Sequence, residues 1–298
     1  MIKPSKLKPG DAVGVVSPAG PVNPSDLEAG LHFLKAKGFT VHVATHVYHR
    51  QEYLAGNDED RLSDLQIMFR NPEIKAIFCS RGGYGSLRLL DRIDYDLIRK
   101  NPKIIVGYSD MTALLAAIFK KTGLITFHGP MVKGLSSLPE KTWQNLVQMI
   151  SSEQPASFSP MAGYPLRGGK ATGPIMGGNL SLICRLLGTP FMPSLKGCIL
   201  FIEDRGEALY RLDRMLTHLT LAGSLEGVKG LIAGQFIDCG EPAAIDRLIK
   251  ERFKPMNIPM AAGFPLGHGP ENTTLPLGVL AELDTDAMSL SLLESTVV

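Results

Sequence analysis

Ser109 stands at the junction of a predicted buried strand and a predicted helix, a position from which a hydroxyl can act as a nucleophile. The segment Lys103–Asp110 reads KIIVGYSD, and a helical pattern follows it directly. In such a turn the hydroxyl projects from the sheet, and N–H groups at the helix start can stabilise an oxyanion. The G-x-S-x-G pattern is incomplete, because Met111 occupies the place of its second glycine. A helix N-cap explains the same Ser-Asp pair, so both interpretations stay open.

Two segments of the second half place acid–base groups at strand ends. Glu203 and Asp204 close the apolar run Ile199–Ile202, where a carboxylate must be desolvated, paired or at the rim of a cleft. His268 lies between two glycines in the loop sequence GFPLGHGP, where the backbone can approach a ligand. Considered alone, Glu203 and Asp204 are more commonly explained as a solvated strand end. Considered alone, His268 is more commonly an ordinary loop histidine.

The order of these residues strengthens the chemical interpretation. Ser109, Glu203 and His268 run in the order nucleophile, acid, base, each at the end of a predicted buried strand, where open α/β sheets place their sites. Because the serine and the histidine belong to different halves, we expect a cleft between domains to bring them together. The glycine-rich turn at residues 80–85 could add a second oxyanion donor from its backbone, although a tight strand-to-helix turn explains it equally well.

The hydrophobic pattern predicts the elements that must position these residues. Over residues 1–150, strands and helices alternate, which predicts βαβ units and a mostly parallel sheet. One of the helices predicted in this half is Tyr84–Arg92. Residues 151–175 are rich in Ser, Gly and Pro and predict an interdomain linker. Residues 176–298 predict a smaller, mixed α+β domain that ends in two strands, the first over Leu275–Leu283.

Composition excludes several classes of protein. The chain has 298 residues, 44% of them hydrophobic, and a formal net charge of +2, which does not favour disorder or nucleic-acid binding. It shows neither a signal peptide nor an apolar run of about 18 residues. The four scattered cysteines are typical of buried thiols in a reduced, cytoplasmic protein.

Cofactor motifs are weak. The first strand ends in Ser17–Gly20 (SPAG), which lacks the dinucleotide-binding G-x-G-x-x-G, and the Gly-Gly-Lys at 168–170 lacks the spacing of a phosphate-binding loop. His42 and His46 would share a strand face, close to His49. Without a further ligand at suitable spacing, we interpret them as solvated and predict no metal.

Six short motifs extend over essentially the whole chain. They are SPAG at 17–20, SRGGYG at 80–85, GYSD at 107–110, GGNL at 177–180, FIED at 201–204 with YRLDR at 210–214, and GFPLGH at 263–268. In combination they resemble the serine LD-carboxypeptidases, the murein tetrapeptide carboxypeptidases that also include the microcin C self-immunity peptidases.

The resemblance implies Ser109 as nucleophile, His268 as general base and Glu203 as the residue that orients the imidazole. It implies an oxyanion hole from the backbone of Gly83 and Asp110. The implied fold is α/β, with a Rossmann-like parallel-sheet N-terminal domain and a smaller β-rich α+β C-terminal domain, in a homodimer. Family members act in the cytoplasm on recycled cell-wall peptides, without cofactor or metal. The charge balance and the lack of a long apolar run separately predict no nucleic-acid or membrane partner.

The expected reaction is release of the terminal D-Ala from murein tetrapeptide. The free carboxylate at the end of this substrate requires a cation in the binding site. A zwitterionic diamino acid within the substrate requires both a positive and a negative group there. Candidate substrate-binding residues near the motifs are Arg81, Tyr84, Arg205, Glu207 and Arg211; the charged ones are as well explained as surface charges. The sequence leaves open whether the third substrate residue is diaminopimelate or lysine.

Two other functions stay open at this stage. A microcin-immunity-type hydrolase would need an aromatic platform for an adenine, and the only tryptophan, Trp143, lies just before the predicted linker. A non-catalytic peptide- or sugar-binding module would keep the cleft but would have no use for an activated serine.

Overall fold

The computed structural model describes all 298 residues and contains two β-sheets with flanking helices. The helices are α1 (Pro24–Ala36), α2 (Asp58–Arg70), α3 (Tyr95–Lys100), α4 (Met111–Thr122), α5 (Glu140–Ser151), α6 (Leu180–Leu186), α7 (Leu209–Leu221) and α8 (Pro242–Phe253). The strands are β1 (Ala12–Val16), β2 (Thr40–Val43), β3 (Ile74–Cys79), β4 (Ile104–Gly107), β5 (Thr126–His128), β6 (Ser157–Phe158), β7 (Tyr164–Arg167), β8 (Lys170–Asn179), β9 (Ile199–Arg205), β10 (Gly230–Ile237), β11 (Met260–Ala262), β12 (Leu275–Leu277), β13 (Leu280–Asp284) and β14 (Ser289–Leu292). Short 3-10 helices lie at Ser86–Leu89, Val132–Ser137 and Lys254–Met256.

The first sheet has the strand order β12-β5-β4-β3-β1-β2. Strands β1 to β5 pair in parallel, as the alternation of strands and helices predicts. The central strands β3 and β4 are almost wholly buried, which explains why they read as continuous apolar runs. The Rossmann-like N-terminal domain is therefore confirmed, with one addition: β12 comes from the C-terminal half and pairs antiparallel with β5.

The second sheet has the order β6-β14-β13-β8-β9-β10-β11-β7. Its four central strands, β8 to β11, are parallel, and antiparallel strands complete it on both sides. This confirms a β-rich α+β C-terminal domain. None of the helices combines the length and the apolar character needed to cross a membrane.

Residues 151–175 do not form the open connection that their composition predicts. Strands β6 and β7 and the start of β8 lie within them. The glycine content there reflects close packing: a Cβ on Gly173 would lie 2.2 Å from the carbonyl oxygen of Gly197. The segment belongs to the second sheet, while the outer bounds 1–150 and 176–298 stay predictions.

The two sheets share one hydrophobic core of 86 buried residues. At its centre, β8 lies directly against α4, where a Cβ on Gly178 would lie 2.6 Å from a side-chain carbon of Thr112. The N–H of Asn179 donates to the Thr112 hydroxyl at 3.0 Å. This contact fixes the start of α4, which follows Ser109, relative to the β8–β9 pair that carries Glu203.

Candidate active site

Ser109 occupies a strained turn between β4 and α4. Its φ is +62°, a left-handed conformation that is uncommon for a residue with a side chain and is often retained at functional sites. Gly107 permits the turn, because a Cβ there would lie 2.7 Å from the Met111 side chain. The Ser109 turn thus has the geometry that the elbow prediction requires.

A chain of hydrogen bonds joins Ser109, His268 and Glu203. His268 Nε2 lies 3.0 Å from Ser109 Oγ, and His268 Nδ1 lies 2.7 Å from Glu203 Oε2. The histidine side chain is 12% exposed and the glutamate is fully buried. With Nδ1–H donating to the carboxylate, Nε2 can accept the hydroxyl proton, which is the arrangement that activates a serine.

Burial dominates the electrostatics of the acid. Desolvation raises the pKa of Glu203 above its usual value, while the hydrogen bond from His268 acts in the opposite direction. The Glu203 carboxylate packs directly against the loop that carries His268. Position 267 of that loop requires glycine, because a Cβ there would lie 2.2 Å from Glu203 Oε2. Gly267 also has a φ of +110°.

Two residues that the sequence analysis missed support the histidine loop. Asn272 accepts the Gly267 N–H at 3.0 Å, and Gln235 on β10 accepts the Gly269 N–H at 2.8 Å. The backbone on either side of His268 is thereby fixed. No sequence motif marks these amides. Gln235 becomes a neighbour of Gly269 only in the folded chain, whereas Asn272 is five residues from Gly267 in the same loop.

Asp204 has a different environment from its neighbour Glu203. Its carboxylate accepts hydrogen bonds from Asn179 Nδ2 at 2.9 Å and from the Ser181 hydroxyl at 2.7 Å. It also accepts the Ser181 N–H at 2.9 Å and the Arg205 N–H at 2.8 Å. Successive residues of β9 point to opposite faces, so Asp204 holds the start of α6 while Glu203 faces His268.

The Gly82–Gly83 turn packs against Ser109. A Cβ on Gly82 would lie 3.0 Å from Ser109 Oγ and 3.5 Å from the Asp110 nitrogen. The N–H groups of Gly83 and Asp110 make no hydrogen bond within the chain. The Asp110 carboxylate and carbonyl bind Ser86 at 2.9 and 2.7 Å, which holds the glycine turn near the start of α4.

A cavity of about 700 Å³ opens onto Ser109 and His268. It is lined by Asp26, Arg81, Gly82, Gly83, Tyr108, Ser109, Pro130, Met131, Lys133, Gly134, Ser137, Leu138, Pro139, Arg205, His268, Gly269, Pro270 and Asn272. Both halves of the chain contribute, as the predicted interdomain cleft requires. The lining includes the candidates Arg81 and Arg205, together with two charged residues that the sequence analysis missed, Asp26 and Lys133.

The other three substrate-binding candidates lie outside this lining. Tyr84 is half-exposed and its ring faces Tyr53, with the centroids 5.7 Å apart. Glu207 and Arg211 pair with each other at 3.5 Å at the start of α7. The signal for these residues was a position inside a motif, for Tyr84 and Arg211, or between two motifs, for Glu207. Such a position does not report which way a side chain points.

Family models match both halves of the chain. The LD-carboxypeptidase N-terminal domain matches residues 13–129, and the LD-carboxypeptidase C-terminal domain matches residues 172–283. The chain belongs to the LD-carboxypeptidase family. It is therefore an enzyme, a serine-type carboxypeptidase, and the interpretation as a non-catalytic binding module is set aside.

Relatives of this LD-carboxypeptidase align over nearly their whole length. A probable murein peptide carboxypeptidase of Bacillus subtilis is 39% identical, with 95% of this chain and 92% of the relative covered. A murein tetrapeptide carboxypeptidase of Pseudomonas aeruginosa is 33% identical, with coverages of 91% and 92%. The crystal structure of an MccF-like protein from Bacillus anthracis superposes with a TM-score of 0.94, at 32% identity and with coverages of 99% and 100%.

The histidine cluster of the N-terminal domain lies away from the LD-carboxypeptidase cavity. His46 and His49 follow β2 in a turn, so His42 and His46 do not share a strand face as expected. His46 Nδ1 donates to the Asp64 carboxylate at 2.8 Å, and this hydrogen bond raises the pKa of His46. No group of three or more His, Cys, Asp or Glu side chains is arranged to hold a metal ion.

Proposed function

We propose that this LD-carboxypeptidase releases the terminal D-Ala from murein tetrapeptide through an acyl-enzyme. Ser109 Oγ attacks the carbonyl that precedes D-Ala, while His268 Nε2 takes the hydroxyl proton. The N–H groups of Gly83 and Asp110 stabilise the oxyanion. His268 then returns the proton to the amine of the departing D-Ala, and a water molecule hydrolyses the ester.

The observation that carries this proposal is the continuous hydrogen-bonded path from Glu203 through His268 to Ser109. Glu203 holds His268 in the tautomer whose Nε2 accepts a proton. It also stabilises the imidazolium that forms during attack. Because Glu203 is shielded from water, this electrostatic effect is stronger than it would be at the surface.

The charges of the cavity support a peptide substrate with several carboxylates. Three cations line it, Arg81, Lys133 and Arg205, with Asp26 as the only carboxylate. Arg81 and Arg205 are the proposed partners of the terminal carboxylate. The name of the Pseudomonas relative supports murein tetrapeptide as that substrate.

The proposed setting is the cytoplasm, where peptides recovered from the cell wall are recycled. All four cysteines are buried and free, which supports a reducing compartment. The family resemblance also predicts a homodimer, which sedimentation equilibrium of the purified protein would test.

A second candidate function is a microcin-immunity-type hydrolysis, favoured by the likeness to the MccF-like structure. An adenine-containing substrate would need an aromatic platform. Trp143 does not provide one, because it is 5% exposed and packs edge-on against Phe33 and Phe39. We therefore favour the murein peptide.

A direct test offers the purified enzyme two substrates, L-Ala-D-Glu-meso-diaminopimelate-D-Ala and an aminoacyl-sulfamoyl adenosine. We expect catalytic D-Ala release from the first, measured with a D-amino-acid oxidase assay, and much slower hydrolysis of the second. Turnover of the adenosine compound alone would favour the immunity function, and turnover of neither would refute both.

A further inference from the structure

Arg61 on α2 is the largest of the fully buried side chains, with 1% of it exposed. Burial of a guanidinium is costly unless its N–H groups are bonded. Nη1 donates to the carbonyl of Pro18 and, at 3.0 Å, to the carbonyl of Gly85, while Nη2 donates to the Asp58 carboxylate. The buried charge therefore holds two backbone carbonyls that follow two different strands, β1 and β3.

The two turns that Arg61 joins are the SPAG motif at 17–20 and the SRGGYG motif at 80–85. They also bond to each other, because the N–H of Gly20 donates to the carbonyl of Gly82 at 3.1 Å. The fit is close, since a Cβ on Gly20 would lie 2.9 Å from that carbonyl oxygen. No residue of SPAG lines the active-site cavity, so this motif contributes to the site by supporting the glycine turn.

Arg61 also faces the start of α4, where Asp110 is 1% exposed. Burial raises the pKa of the Asp110 carboxyl, and the charge of Arg61 acts in the opposite direction. The same carboxylate accepts the Ser86 N–H, directly after Gly85. Arg61 therefore acts on both proposed oxyanion donors, on Gly83 through the turn and on Asp110 through its charge.

We propose that Arg61 is a positioning residue for the oxyanion hole. By holding the carbonyls of Pro18 and Gly85, it fixes the Gly83 N–H beside Ser109 and opposite the Asp110 N–H. This inference rests on the proposed function, which supplies the oxyanion hole. Arg61 lies outside the cavity lining, so it acts on the reaction through the backbone and does not touch the substrate.

The arrangement requires a guanidinium and not merely a positive charge. The planar fork of Arg61 reaches two carbonyls and a carboxylate at once, whereas a lysine ammonium is a point charge on a flexible stem. Arg61→Lys therefore keeps a cation opposite the Asp110 carboxylate and loses the fixed geometry of the two turns.

We expect Arg61→Lys to lower kcat for D-Ala release by about 100-fold while KM stays near the parent value, because an oxyanion donor acts in the transition state. A tripeptide boronic acid, in which boron replaces the carbonyl that Ser109 attacks, provides a second readout. Its tetrahedral adduct places an oxygen in the oxyanion hole, so its affinity should fall in proportion to kcat/KM. The tripeptide product forms no such adduct and should bind the variant as it binds the parent.

Arg88→Gln is the matched control. Arg88 Nε donates to the same Asp58 carboxylate at 2.9 Å, but its side chain bonds to neither turn, so kcat should stay within about 2-fold of the parent value. Parent kcat in a folded Arg61→Lys variant, or an equal loss in Arg88→Gln, would overturn the inference. A loss of kcat with unchanged boronic-acid affinity would overturn it as well.

Gly85→Ala tests the same contact if Arg61→Lys does not fold. The added methyl group would lie 2.7 Å from Arg61 Nη1, so the guanidinium and the turn must separate. The folded variant should lose boronic-acid affinity, and parent affinity would overturn the inference while leaving the proposed reaction intact. Absence of D-Ala release by the parent enzyme would instead overturn the proposed function, together with the oxyanion hole on which this inference rests.

Discussion

The Nε2 atom of His268 lies 3.0 Å from the Oγ atom of Ser109, although 159 positions separate the two residues in the sequence. Ser109 follows β4 of the first sheet, and His268 follows β11 of the second. The reactive pair therefore exists only because the two sheets share a core and β8 packs against α4. Substitutions that disturb the fit of the two halves should reduce activity before they unfold the chain.

Glu203→Gln should lower kcat far more than it changes KM. The amide cannot stabilise the imidazolium and can hold His268 in the wrong tautomer, so we expect a loss on the order of 10³- to 10⁴-fold in kcat. Steady-state D-Ala release provides the measurement. Asp204→Asn is the neighbouring control: it should lower the free energy of unfolding by about 1–3 kcal/mol through its lost hydrogen bonds. An unchanged kcat in Glu203→Gln would remove Glu203 from the mechanism.

Gly82→Ala should impair catalysis through contact with the nucleophile. The added methyl group would lie 2.9 Å from Ser109 Cβ, so the serine or the turn must shift, and a displacement of about 1 Å can cost about 100-fold in rate. Gly134 lines the same cavity but has nothing within 4 Å of its Cβ position. Gly134→Ala should therefore keep the parent kcat, and equal effects of the two alanines would contradict this account.

His128 should make the folded state sensitive to acid. The residue is buried beside Phe201 and Tyr108, and both of its ring nitrogens lack a hydrogen-bond partner. Burial, with a smaller contribution from His268, lowers the pKa of His128 to about 3. Between about pH 6.5 and pH 3 the unfolded chain binds a proton at this residue that the folded chain does not. The free energy of unfolding therefore falls as the pH falls through that window.

Urea unfolding at pH 7 and pH 4.5 measures this contribution. On lowering the pH, the parent protein should lose about 3 kcal/mol more stability than His128→Phe. The exposed His32 provides a control, since His32→Phe should retain the parent pH dependence. Identical losses in the parent and in His128→Phe would show that His128 is not held neutral by the fold.

The sequence predicted the parallel first sheet and the strand ends that carry Ser109 and Glu203, because strands buried on both faces read as continuous apolar runs. It was wrong for Tyr84–Arg92, where only a 3-10 helix forms at Ser86–Leu89. Gly85 takes a φ of +137°, and a Cβ there would lie 2.7 Å from the buried guanidinium of Arg61. That tertiary contact overrides the local helical preference.

Other errors have the same origin. The run Leu275–Leu283 predicts one strand, but Gly278, with a φ of +95°, separates β12 in the first sheet from β13 in the second. Asp26 and Lys133 carried no signal at all, since their pairing depends on how α1 packs against the 3-10 helix Val132–Ser137. Local patterns identify residues at strand ends, whereas the lining of a cavity depends on which elements meet.

The most direct test of the central claim compares D-Ala release from murein tetrapeptide by the parent enzyme and by Ser109→Ala, after equal unfolding temperatures show that both are folded. If Ser109 is the nucleophile, kcat/KM should fall by about 10⁴-fold or more, because attack through an acyl-enzyme is no longer possible. Release at the parent rate by the folded Ser109→Ala variant would contradict the mechanism.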